Sequence, residues 1–190
     1  MPMRLSEVHP SLVHFPLALL PVAIGADAIG LATKNRELCG VGKLGIVAAT
    51  VGAAVAGVFG FIAQEEVRLE ASAPDVLATH RTMNVLALGA MTAMSVWRVS
   101  RKKPTLGYVL GGAALLAAVS YSAYLGGKLV YDHGAGVAKA HGIYGDSPEL
   151  VPGNAVHALR TAFAHLGRGL ASTAKDLASG RVAPSLRKVP

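Results

Sequence analysis

Leu44-Gly45-Ile46-Val47-Ala48-Ala49-Thr50-Val51-Gly52-Ala53-Ala54-Val55-Ala56-Gly57-Val58-Phe59-Gly60-Phe61-Ile62-Ala63 carries no charge over twenty residues. At ~1.5 Å of rise per residue, a helix of that length matches the ~30 Å hydrocarbon core of a bilayer. Ala49, Gly52, Ala53, Ala56, Gly57 and Gly60 form two ladders of small residues, one residue apart. Small ladders let helix backbones approach closely in a membrane, so this stretch predicts a span buried in a helix bundle.

The rest of the chain repeats the theme. Hydrophobic residues are 52%, charged residues 15% and aromatic residues 5%, with a mean hydropathy of +0.46. The apolar residues fall into four blocks: Ser11 to Thr33, Leu44 to Ala63, Thr82 to Trp97 and Thr105 to Gly127. The expectation is an all-α integral membrane four-helix bundle over residues 1–137, with a polar tail over 138–190. In the first block Pro10 suits a first helical turn, while Pro16 and Pro21 should kink the helix. Asp27 must face either the bundle interior or the far headgroups, and its place near the end of the block favours a solvated boundary. The third block is the shortest. It spans only if Arg81 and Arg98 snorkel and His80 sits at the interface or inside the bundle. Lys34 to Lys43 and Val67 to Thr79 read as polar loops.

In the tail, Ala138 to Pro152 reads as irregular. Asn154 is a candidate N-cap, and Val156, Leu159, Phe163, Leu166, Leu170 and Leu177 recur at three-four spacing. This predicts an amphipathic helix over about 154–179, with Arg160, Arg168 and Lys175 off the stripe. It suits a membrane surface, with docking to a partner as the alternative. His157 and His165 are expected to be solvated, and Gly180 to Pro190 disordered.

The net charge of +7 and pI of about 9.8 lie in short loops and the tail, where membrane proteins place basic residues for topology and lipid contact. Nucleic acid is therefore not an expected partner. The single cysteine, Cys39, excludes a disulfide framework or a cysteine-built metal centre within the chain. No nucleophile elbow, phosphate loop or dinucleotide fingerprint is present, and the first span, without a signal peptide before it, is expected to act as its own insertion signal. Lys34, Arg36, Lys43, Arg98, Arg101, Lys102 and Lys103 crowd the loops on one side. The positive-inside rule then predicts that both termini lie outside the cytoplasm.

Alternating spans bring the start of the first, end of the second, start of the third and end of the fourth to one membrane face. His9 and His14, Gln64 and Glu65, His80, and Tyr131 and His133 lie at those points. Bundle cores are where cofactor and metal sites are built. One reading is haem b with His14 and His80 as axial ligands, His9 and His133 nearby as partners or alternates, and the glycines on the second and fourth spans leaving room for a macrocycle. A second is a mononuclear zinc, copper or iron site using three of the four histidines with Glu65 or Asp132. A third is structural: the histidines cap helix ends, and the protein is a scaffold or subunit of a larger complex.

His9-Pro10-x-x-Val13-His14-Phe15-Pro16, with Gly126-Gly127-x-Leu129-Val130-Tyr131-x-His133-Gly134-x-Gly136-Val137, resembles a bacterial family of four-span membrane proteins of unknown function. The resemblance covers roughly Val8 to Val137, and His80 falls where that family carries a histidine opening its third span. The family often closes its second span with an aspartate, where this chain has Gln64 and Glu65. Some relatives are fused to a Rieske iron–sulfur domain, which this chain lacks. The resemblance implies a protein of the bacterial inner membrane with membrane redox chemistry; a redox protein, a larger membrane complex or a second copy of the chain are the candidate partners.

Overall fold

The computed structural model describes residues 3–67, 69, 73–137, 141 and 148–188. The described residues are helical, with α1 (Val8–Leu12), α2 (His14–Thr33), α3 (Arg36–Ala63), α4 (Ala73–Val99), α5 (Leu106–Tyr131) and α6 (Ala155–Ala178) as the α-helices. Three stretches are long and apolar enough to cross a membrane: Leu5–Thr33, Arg36–Ala63 and Leu106–Tyr131. The expected all-α helical membrane architecture is what the chain forms.

The helices outrun the apolar blocks. The loop expected over Lys34 to Lys43 shrinks to Lys34 and Asn35, because Lys34 takes a left-handed φ of 59° and Asn35 Oδ1 then accepts from the amides of Glu37 and Leu38. That side-chain cap lets α3 start within its polar stretch. The loop expected up to Thr79 is likewise helical from Ala73. Pro16 breaks the first span a turn upstream of itself, at Val13 between α1 and α2, since proline has no N–H for the Leu12 carbonyl. Pro21 is absorbed within α2.

At 27 residues α4 is among the longest helices, although its apolar core is short. Most of its polar groups are answered by the protein, the buried Arg81 Nε being an exception. Thr79 bonds to the Asp75 carbonyl, Arg81 to Gln64, and Arg98 to Asp27.

The chain forms two compact units. One comprises Leu12–Val55 and Asn84–Tyr121; the other comprises Met1–Ser11, Ala56–Met83 and Ser122–Pro190. In the first, Leu20, Ala23, Ile24, Ile46, Ala49, Ala87, Met91, Tyr108 and Leu115 make the core. Trp97 stacks on Tyr108 with centroids 5.1 Å apart. Glycines let the helices close up: at Gly112 a Cβ would sit 2.5 Å from Ile24 Cδ1, and at Gly45 2.9 Å from Ala23 Cβ.

Asp27 is neither a boundary residue nor solvated. It and Arg98 are fully buried in this unit, and both carboxylate oxygens accept from the guanidinium at 2.8 Å. Arg98 Nη2 also donates to the Cys39 carbonyl at 2.6 Å, and Nη1 to the Arg101 carbonyl at 3.1 Å. Arg98 therefore turns inward instead of snorkelling, because a bidentate carboxylate and two carbonyls replace its hydration.

In the second unit α6 packs on the end of α3 and the start of α4. His165, expected to be solvated, is only 8% exposed and donates from Nδ1 to Glu66 Oε1 at 3.1 Å. Arg81, expected to snorkel, bonds Gln64 at 3.0 Å and pairs with Asp176. The terminal stretch expected to be disordered is pinned as well. Arg181 pairs with Asp75 at 2.6 Å, Ser185 Oγ bonds Thr79 Oγ1 at 2.7 Å, and Pro184–Lys188 forms a 3-10 helix. Of the expected irregular stretch, residues 138–140 and 142–147 lie outside the described residues.

Candidate functional site

Two histidines in the second unit share one construction. Near the start of the first span, His9 Nδ1 donates to the Ala56 carbonyl on α3 at 2.8 Å. On α4, His80 Nδ1 donates to the Ser122 carbonyl on α5, also at 2.8 Å. A carbonyl only accepts, so each Nδ1 carries the proton, and the lone pair of the neutral ring lies on Nε2, the atom a metal ligand requires.

The residue four positions beyond each accepting carbonyl is a glycine. A Cβ on Gly60 would stand 3.1 Å from His9 Cε1, and one on Gly126 would stand 3.1 Å from His80 Cε1. Each imidazole thus lies against bare helix backbone. The room expected for a macrocycle at Gly60 and Gly126 is occupied by the imidazoles themselves.

The matching extends beyond the histidines. His9 and His80 are 71 positions apart, as are Asp27 and Arg98. At the same offset Pro16 and Ala87, Leu20 and Met91, and Ile24 and Ser95 are all buried. Between α3 and α5 an offset of 66 pairs Gly42 with Tyr108, Ile46 with Gly112, Ala49 with Leu115, Ala56 with Ser122 and Ala63 with Leu129, again all buried. Gly60 and Gly126 obey that offset too. At these positions the two helical hairpins, α2–α3 and α4–α5, repeat one burial pattern. In the first unit equivalent residues, Asp27 and Arg98, meet; in the second, equivalent histidines have equivalent surroundings.

The other expected site residues are dispersed. His14 is exposed at the start of α2, in the unit that does not contain His9 and His80. Gln64 serves Arg81 and Ser172, and Glu65 meets Arg168 at 3.4 Å. Tyr131 is 90% exposed and lines a concavity of about 300 Å³ with Tyr124, Gly127, Lys128 and Asp132. His133 is half-buried beyond the end of α5. Among the described residues no group of three His, Cys, Asp or Glu side chains is arranged to hold a metal ion.

The sequence reading missed the Asp27–Arg98 pair, the Glu66–His165 contact and the repeat. The signal for the first and last was present: an ionisable residue follows each of His9 and His80 by eighteen positions. A shared offset is hard to see when the paired side chains differ in sign.

An all-α bundle with apolar spans, a buried ion pair and lipid-length helices defines an integral membrane protein. Residues 6–139 match the family described as "Predicted membrane protein (DUF2231)", and the chain belongs to that family. No match was found among curated proteins or solved structures.

Proposed function

We propose that this chain is a membrane haem b-binding protein serving electron transfer, with His80 and His9 as the residues that would hold the iron. The observation carrying the proposal is the common environment of the two rings, each with Nδ1 tied to a main-chain carbonyl at 2.8 Å. A ligating histidine commonly donates its second ring nitrogen to a carbonyl, which fixes the tautomer and ring orientation and strengthens Nε2 as a donor. Bound haem iron would supply the one-electron chemistry, with the two imidazoles holding it through Nε2. His80 belongs to the pair as read from sequence. His9 is preferred to His14 because it shares His80's unit and surroundings. Two axial ligands also suffice for haem, whereas the mononuclear zinc, copper or iron alternative calls for three or more protein ligands.

The protein is proposed to work in the bacterial inner membrane with both termini outside the cytoplasm, exchanging electrons with a redox protein or a larger complex. A scaffold subunit is the second reading, favoured by the dispersal of His14, Gln64 and Glu65 into separate places.

The test is an absorption spectrum of detergent-purified protein before and after dithionite, with iron analysis of the same sample. A Soret band that shifts on reduction, with about one iron per chain or per assembled site, is expected. His9→Ala and His80→Ala should abolish it while His14→Ala retains it. Absence of both Soret band and stoichiometric metal overturns the proposal and leaves the scaffold. Loss in His14→Ala and retention in His9→Ala would return the ligand to His14.

A further inference from the structure

Helix α6 is amphipathic in the inverted sense. The side toward the protein is polar or small: His165 reaches Glu66, Ser172 reaches Gln64, and Asp176 reaches Arg81. Between them Gly169 lies so close to α3 that a Cβ would run into the Phe61 carbonyl. The side facing away carries Val156, Leu159, Phe163, Leu170 and Leu177, all exposed, with Val156 at 84% and Phe163 at 67%. At 3.6 residues per turn a third sector follows, made of His157, Arg168 and Lys175, all exposed. Going round the helix from the stripe, the docked sector borders it on one side, while on the other Arg160 and the small residues Ala164, Gly167 and Ala171 separate it from the basic sector.

A helix on a water-exposed domain turns its apolar stripe inward. Here the stripe is left outside, which is stable where the outside is itself apolar. We infer that α6 is a membrane-interfacial helix, its stripe in the acyl chains and its basic sector against anionic headgroups, held by its third side to the ends of α3 and α4. The basic sector complements anionic lipid in charge. The helix ends in the same unit, which belong to apolar spans, also expose Val58, Tyr124, Val130 and Tyr131. Tyrosines at such ends suit the headgroup level. This inference does not depend on haem.

The test uses the full chain in a Cys39→Ala background, labelled with one nitroxide at a time and reconstituted in phosphatidylcholine–phosphatidylglycerol vesicles. Labels replace Leu159, Phe163 or Leu170 in the stripe, and His157, Arg168 or Lys175 in the basic sector. Oxygen collisions should exceed those of a water-soluble nickel complex several-fold in the stripe, with the order reversed in the basic sector. High nickel access at both sectors would put α6 in water and overturn the inference. Exclusion of both reagents from the stripe would mean that protein covers it, a second copy or another subunit, and would equally overturn it. Protein whose circular dichroism is altered by Cys39→Ala is replaced by an unlabelled Trp97→Phe chain carrying Phe163→Trp or Arg168→Trp. Quenching by brominated acyl chains should then be strong at 163 and weak at 168, and equal weak quenching overturns the inference.

Discussion

At the scale of residues, the ion pair is the most exacting feature. Asp27 and Arg98 have no solvent exposure, and removing one partner leaves a buried charge with nothing to answer it. Arg98→Ala or Asp27→Ala should each cost about 3–5 kcal/mol, read as a fall in the thermal or denaturant midpoint in detergent. Because the two residues hold equivalent places in the repeat, the exchange Asp27→Arg with Arg98→Asp should recover much of that loss. A double variant no better than either single one would show that the surrounding carbonyls, and not the pair alone, dictate the sign at each position. Gly42 adds a steric condition, since a Cβ there would collide with the Asp27 carboxylate. Gly42→Ala should therefore destabilise the protein, where helix propensity alone would favour alanine by up to about 1 kcal/mol. The same midpoint measurement decides between them.

At the scale of elements, α4 and α6 show why averages mislead. The mean hydropathy of α4 is lowered by Asp75, His80, Arg81 and Arg98, yet each is bonded within the protein. A helix whose polar groups are matched does not need a wholly apolar sequence. For α6 the three-four periodicity predicts a helix and its stripe from sequence, but not which side meets the protein. Periodicity reports that two sides differ; the contacts to Glu66, Gln64 and Arg81 decide which is inward. Gly169→Val should lift α6 from the bundle, because the bulk would meet the Phe61 carbonyl and Gln64 Nε2, the latter 2.6 Å from even a bare Cβ. Limited proteolysis of the tail should become markedly faster while the spans remain protected. Unchanged cleavage would show that α6 is not held through this contact.

At the scale of the whole molecule, the internal repeat organises what single motifs do not. Leu20 and Met91 occupy equivalent places and are 1% and 2% exposed. Leu20→Ala and Met91→Ala should each cost about 2–5 kcal/mol, and the two losses should be similar in a denaturation series. A large loss at one and none at the other would mean that the repeat is geometric without being energetic. The family match over 6–139 ends before α6, so the repeat belongs to the family region and α6 lies outside it.

The helical membrane class was determined by sequence alone, because twenty uncharged residues such as Leu44 to Ala63 leave the backbone no partners in lipid except its own. The amphipathic period of α6 was legible for a similar reason: it depends only on residues a turn apart. The histidines' separate fates, the Asp27–Arg98 pairing and the inward side of α6 were decided by tertiary structure. His9 and His14 look alike in sequence, yet His9 reaches a carbonyl 47 residues away while His14 is exposed at the start of α2. Contacts across such separations depend on which helices become neighbours, and hydropathy carries no information about that choice.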